Sequence, residues 1–198
     1  MATDVSRLLR TPVTLVVLAT NTIVFIACQT EPGIDLVGRM FSSPIAGLVF
    51  SAFVHIDVVH FLMNTMVLYQ VGPILERWLG KTTLYAGFYL LAALVSSAAQ
   101  LLFSGPGIGA SGVLYAMVGY LWIKQRRHPD RFAYILAPGA FRPLFVWLVL
   151  GFVLSYTGMM RIGNAAHVGG LLFGILVANP WGARTGLDPT PGLARPEP

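Results

Sequence analysis

The sequence predicts an all-α polytopic membrane protein, a bundle of six transmembrane helices. Three observations predict it. Of its 198 residues, 56% are hydrophobic and only 11% are charged, whereas a soluble domain carries about 25% charged residues. The mean hydropathy is +0.72. The apolar residues gather in six runs, each about long enough, some only with their flanks, for a helix crossing a hydrocarbon core of about 30 Å.

The first run covers residues 12–28 and follows Arg7 and Arg10. Basic residues before an apolar run that ends in Cys28 are also the outline of a secretory or lipoprotein leader. Further hydrophobic runs follow, and a first transmembrane helix explains the same residues. Residues 29–57 form a long outer loop with an apolar stretch at 45–54, expected to lie partly in the outer leaflet. The second run, 58–74, begins after Asp57, a favoured N-cap residue. The third run is 83–103 and the fourth is 108–123, separated by four residues. A basic connection, 124–143, leads to the fifth run at 144–159, and a short turn leads to the sixth at 165–178. The tail 182–198 is rich in Gly and Pro and is predicted to be disordered. The expected organisation is a cytoplasmic segment 1–11, a membrane domain 12–181 and a cytoplasmic tail 182–198. The sequence shows no internal repeat.

Charge placement excludes some functions and sets orientation. The net charge of +5 is not a nucleic-acid signal, because the basic residues flank apolar runs. With the N-terminus in the cytoplasm, Arg7, Arg10, Arg77, Lys81, Lys124, Arg126, Arg127, Arg131, Arg142, Arg184 and Arg195 fall inside. Only Arg39 and Arg161 fall outside. That asymmetry obeys the positive-inside rule and places both termini in the cytoplasm. Trp78, Trp122, Trp147 and Trp181 then stand at cytoplasmic helix ends, as interfacial anchors do. The lone Cys28 excludes an intramolecular disulfide and a multi-cysteine metal site.

Polar residues inside a bilayer are expensive and point to function. Ser111 lies at the head of the fourth run, in Gly109-Ala110-Ser111-Gly112. His167 lies at the head of the sixth, and Asn64 and His60 lie in the second. Counted from the cytoplasmic ends at about 1.5 Å per residue, Ser111 and Asn64 stand roughly 18 Å up and His167 roughly 16 Å up. In a core of about 30 Å, all three lie on the order of 10 Å below the outer surface. His60 and Asn64 share a helix face at i and i+4, and Tyr115 stands one turn below Ser111.

Serine and histidine at one depth suggest a nucleophile and its general base. The acids are Asp4, Glu31, Asp35, Asp57, Glu76, Asp130, Asp188 and Glu197. None falls within a span at the depth of His167, so the expected constellation is a dyad, with Tyr115 packing against the imidazole. The Asn64 amide, the His60 ring N–H and the Ser111 backbone N–H are candidate donors to a tetrahedral oxyanion. Gly109 and Gly112 allow a tight turn beside the serine. Gly170 and Gly174, facing Gly112 and Gly119, form a small-residue stripe that lets the fourth and sixth helices touch.

These residues resemble the rhomboid intramembrane serine proteases. The likeness rests on Gly109-Ala110-Ser111-Gly112 with Tyr115, on His55 and His60-Phe61-Leu62-Met63-Asn64, and on Ala166-His167 followed by Gly170 and Gly174. It covers roughly residues 10–180. It implies that Ser111 is the nucleophile, His167 the base, and His60 and Asn64 parts of the oxyanion site, with Tyr115 stacked on His167. It also implies a water-filled cavity open to the outer face, with the fifth span and residues 159–164 as gate and lid. Many members carry a Trp-Arg pair about eight residues before His55; this chain reads Ala46-Gly47 there. The absence of a seventh span or cytoplasmic domain matches the minimal prokaryotic form.

The expected activity is endoproteolysis of transmembrane protein substrates near the outer leaflet of a prokaryotic plasma (inner) membrane. Water is the co-substrate and membrane lipid the surroundings; no nucleic acid, cofactor or metal is expected. The alternative is a catalytically silent relative that binds membrane helices, but that protein should have lost the serine or the histidine. A transporter should show charged or broken helices near the midplane or paired repeats. A metal or haem protein using His55, His60 and His167 would lack His-Glu-x-x-His and any close carboxylate ligand.

Overall fold

The computed structural model describes residues 8–41, 43–132 and 139–178. The predicted tail 182–198, Trp181, and Arg7 of the N-terminal segment lie outside the described residues. Long helices occur where the six apolar runs predict them: α1 (Pro12–Ala27), α4 (Val58–Leu79), α5 (Thr82–Ser104), α6 (Ser111–Arg127), α8 (Arg142–Tyr156) and α9 (Asn164–Ala178). By length and composition α4 and α5 are able to cross a membrane, while α1, α8 and α9 are shorter apolar helices.

Several boundaries differ from the sequence reading, among them the end of α6 at Arg127 and of α8 at Tyr156. The second helix continues past residue 74 to Leu79, through Pro73. Glu76 and Arg77 end the apolar run, but Glu76 is buried and belongs to the packing. It accepts from Val13 N at 2.9 Å, Thr14 N at 2.8 Å and Thr14 Oγ1 at 2.7 Å. The carboxylate thereby caps the open N–H groups of α1, which no residue of α1 satisfies. The fourth helix starts at Ser111, not at 108, because Gly109 has φ +110 and is outside the right-handed helical region. The outer loop is largely helical. It holds α2 (Glu31–Met40), α3 (Pro44–Phe50) and a 3₁₀ turn, Ser51–Phe53. Thr30 caps α2 through Gly33 N. Asp57 caps α4, accepting from His60 N at 2.8 Å as expected.

The interior is organised around α6, whose residues Gly112–Leu121 are all buried. α9 packs along it most extensively, and α5 packs on α9. Gly170 and Gly174 lie against the carbonyls of Gly112 and Ala116, so closely that a Cβ on either glycine would overlap them. A Cβ on Gly119 would in turn sit 2.5 Å from the Leu171 carbonyl oxygen. The small-residue stripe therefore does bring these two helices into backbone contact. Outward faces remain apolar: Leu102 and Phe103 are 78% and 82% exposed.

One interfacial expectation changes. Trp78 is only 2% exposed; its ring packs on Phe132 at 4.7 Å inside a corner closed by α7 (Pro129–Phe132). Lys124 is buried in α6 with its ammonium 5.5 Å from the Tyr120 ring centre. Arg126, by contrast, is exposed and stacks over Trp122 at 4.9 Å, as an interfacial cation does.

Candidate active site

Ser111 is the first residue of α6 and His167 lies in the first turn of α9. The glycine contacts between these helices hold their heads side by side. Ser111 Oγ and His167 Nε2 are 2.8 Å apart, within hydrogen-bond distance for proton transfer. The ring of Tyr115 lies against the imidazole, with centroids 4.6 Å apart and planes inclined by 34°. Its hydroxyl donates to the Leu144 carbonyl at 2.8 Å. The other imidazole nitrogen, His167 Nδ1, is buried without a hydrogen-bond partner.

The turn into the serine is pinned by the outer loop. Gly109 N donates to the Ser51 carbonyl at 2.9 Å, and Ala110 N donates to His55 Nε2 at 3.2 Å. Ser51 Oγ is held in turn by the Leu48 carbonyl and Ser97 Oγ. With the preceding two N–H groups occupied, the Ser111 N–H stands in the open first turn of a 17-residue helix, where backbone donors and the helix dipole favour an anion. Gly109 has φ +110, a conformation that favours glycine, and a Cβ there would fall on His60 Nε2 and Cε1.

His60 is thus brought beside the serine turn. Asn64 is buried one turn below it and donates through Nδ2 to the His60 carbonyl at 2.8 Å, inside its own helix. One of its two amide hydrogens is spent there. His55 is fully buried, with its ring 5.0 Å from that of His60. Burial pushes His55 down to about 4; repulsion from His60 adds to this and the Phe53 backbone opposes it. A neutral ring is required, because Nε2 must accept from Ala110 N. Among the described residues no group of three His, Cys, Asp or Glu side chains could hold a metal ion.

Sequence reasoning missed Ser51, Gln100 and Asn164, and it named His55 without its contact to the serine turn. Ser51 and His55 act on the serine turn from residues about 55 positions away, a pairing that no local pattern shows. Gln100 Oε1 accepts from Ala166 N at 3.2 Å, just before the histidine. Asn164 opens α9 and donates to the Gly151 carbonyl at 3.1 Å and to Ser155 Oγ at 2.9 Å. Its one signal was an amide at the start of an apolar run. At Ala46-Gly47, Gly47 N donates to the Ser43 carbonyl at 2.7 Å and Phe41 covers the glycine.

The model of the rhomboid domain matches residues 42–183. The chain belongs to the rhomboid family. As a rhomboid it is an integral membrane protein. It is 36% identical over 176 residues to the rhomboid protease GlpG of Pectobacterium atrosepticum, covering 84% of this chain and 62% of that one. It is 38% identical over 128 residues to the GlpG of Yersinia pestis, covering 64% of this chain and 45% of the relative. The GlpG of Serratia proteamaculans is 39% identical over 128 residues, with the same coverage. This rhomboid spans about three fifths or less of the length of these curated relatives.

Proposed function

We propose that the chain is a serine endopeptidase that cleaves transmembrane segments of other proteins near the outer leaflet. The 2.8 Å contact between Ser111 Oγ and His167 Nε2 carries this reading. The names of the GlpG relatives support it, and so does the retention of both serine and histidine, which a silent helix-binding relative would not need. In the proposed topology all six long helices cross a prokaryotic plasma membrane, with both termini in the cytoplasm.

In the first step Ser111 Oγ attacks the scissile carbonyl while its proton passes to His167 Nε2, so the neutral ring carries its own proton on Nδ1. The oxyanion that forms accepts from the Ser111 N–H, the His60 ring and the second Asn64 amide hydrogen, each donor worth about 3 kcal/mol of barrier. The imidazolium is stabilised by the face of Tyr115. It gives its proton to the leaving amine, leaving an acyl-enzyme on Ser111. Water then repeats the sequence and releases the acid.

A helical substrate hides its carbonyls in i→i+4 bonds and must unwind locally. Segments with glycine or proline near the outer end should therefore be cleaved faster than rigid ones. Reconstituted protein incubated with reporter spans tests this. Cleavage of a Gly-containing span and sparing of a poly-Leu span is expected; equal cleavage, or none of either, would speak against the reading.

A further inference from the structure

His167 is oriented without an acid. Its Nδ1 is buried and unpartnered, on the side where serine hydrolases usually place a carboxylate. Tyr115 lies against its face instead, and Asn164 opens the helix that carries it, one turn earlier at i−3. Both direct their polar atoms onto α8. Tyr115 Oη donates to the Leu144 carbonyl at 2.8 Å, and Asn164 Nδ2 donates to the Gly151 carbonyl at 3.1 Å and Ser155 Oγ at 2.9 Å. The two points of attachment are about 10 Å apart along α8.

α8 is otherwise weakly embedded. Gly151 is its one buried residue, while Val146, Val149 and Tyr156 are 66%, 66% and 93% exposed. The missing side chain at Gly151 is what admits Asn164, since a Cβ there would lie 2.8 Å from Asn164 Oδ1. Tyr115 and Asn164 are buried, so water competes little for these donors. The small apolar contact and the two polar ties together indicate that α8 is fastened to the residue that touches the base and to the residue that opens its helix.

We propose that α8 braces the catalytic base: through Tyr115 and Asn164 it fixes the orientation of the His167 ring, the task a carboxylate performs in a triad. Asn164 and Ser155 are positioning residues of this brace. The inference rests on the hydrolase reading of the dyad. It assigns α8 a part in the chemical step that a swinging gate would not have, because a gate would break these bonds each time a substrate is admitted.

Purified protein in micelles tests it with Ser155→Ala, which removes one bond, Asn164→Ala, which removes both, and Ser155→Thr, which restores the hydroxyl. A small fluorophosphonate needs no gate to reach Ser111. Its labelling rate should fall about 10-fold in Asn164→Ala, less in Ser155→Ala, and return to the original value in Ser155→Thr, as misplacement of a reacting group demands. With a transmembrane substrate, kcat should fall and KM should stay. Unchanged labelling overturns the brace, and unchanged labelling with faster cleavage of a helical substrate assigns α8 to gating instead. A readout independent of activity comes from histidine-selective ¹⁵N spectra in a Ser111→Ala background, with His167 assigned by its loss in His167→Ala. The His167 ring signals should broaden or split when Ser155→Ala is added; identical spectra overturn the brace. If the protein with both dyad residues fails to label, the hydrolase reading falls, and the ¹⁵N comparison still decides the brace.

Discussion

The carbonyl of Gly112 lies against Gly170, at a place where any side chain on Gly170 would overlap it. Gly174 stands in the same relation to Ala116 one turn on. These two contacts set the spacing of α6 and α9 and so the 2.8 Å between Ser111 and His167.

Gly170→Ala and Gly174→Ala are therefore expected to destabilise the protein by about 2 kcal/mol or more each, since overpacking against backbone has no cheap relief. Gly87→Ala is the control, because a Cβ there meets nothing within 4 Å and alanine exceeds glycine in helix propensity by roughly 1 kcal/mol. Unfolding in mixed detergent micelles measures all three. Equal stability of Gly170→Ala and Gly87→Ala would contradict the packing argument.

The pattern of legibility follows from range. The all-helical character was readable because apolar length and turn residues are local, and Asp57 was readable as a cap because its partner, His60 N, is three residues away. The meeting of Ser111 and His167 was readable because residues can be counted along each helix separately from its end. The end of α4 was not, because Glu76 is a polar residue whose partners, Val13 and Thr14, lie more than 60 positions away. The start of α6 was not, because the turn before it, with Gly109 at φ +110, bonds to Ser51 and His55 in another segment. Trp78 looked like an interfacial anchor because nothing in its neighbourhood reveals that Phe132 will cover it.

Glu76 gives a second prediction. Glu76→Ala leaves the Val13 and Thr14 donors buried without their acceptor and should cost about 2 kcal/mol or more; Glu76→Gln retains one acceptor oxygen and should cost less. The labelling rate of the folded fraction should be unchanged in both, since the contact is at the opposite end of α4 from His60. Thermal unfolding with labelling of the surviving fraction separates the two effects. A Glu76→Ala protein as stable as the original would remove the capping role.

His55 makes stability depend on pH. Its folded value near 4 lies below the ordinary value of 6.5, so the folded state prefers the neutral ring. The stabilisation is fully present above about pH 6.5 and is lost as pH falls toward 4, with a slope approaching 1.4 kcal/mol per pH unit. His55→Gln keeps an acceptor for Ala110 N and does not titrate, so its stability should be flatter over that window. A pH series of unfolding midpoints with the same slope for both proteins would sink this.

Gly109→Ala should act on chemistry more than on stability. The substitution strains a backbone at φ +110 and pushes on the His60 ring. In the proposed mechanism His60 is an oxyanion donor; loss of one such donor typically costs about 100-fold or more in kcat, and a fall of that order with KM nearly unchanged is expected. A change in KM alone would place His60 in substrate binding instead.

The central relationship is most directly tested by covalent labelling of the purified protein with a fluorophosphonate, followed by mass spectrometry of the modified peptide. A single adduct on Ser111, absent in Ser111→Ala and strongly reduced in His167→Ala, is the expected result. A folded protein that takes no label, or an adduct that survives both substitutions, would contradict the dyad.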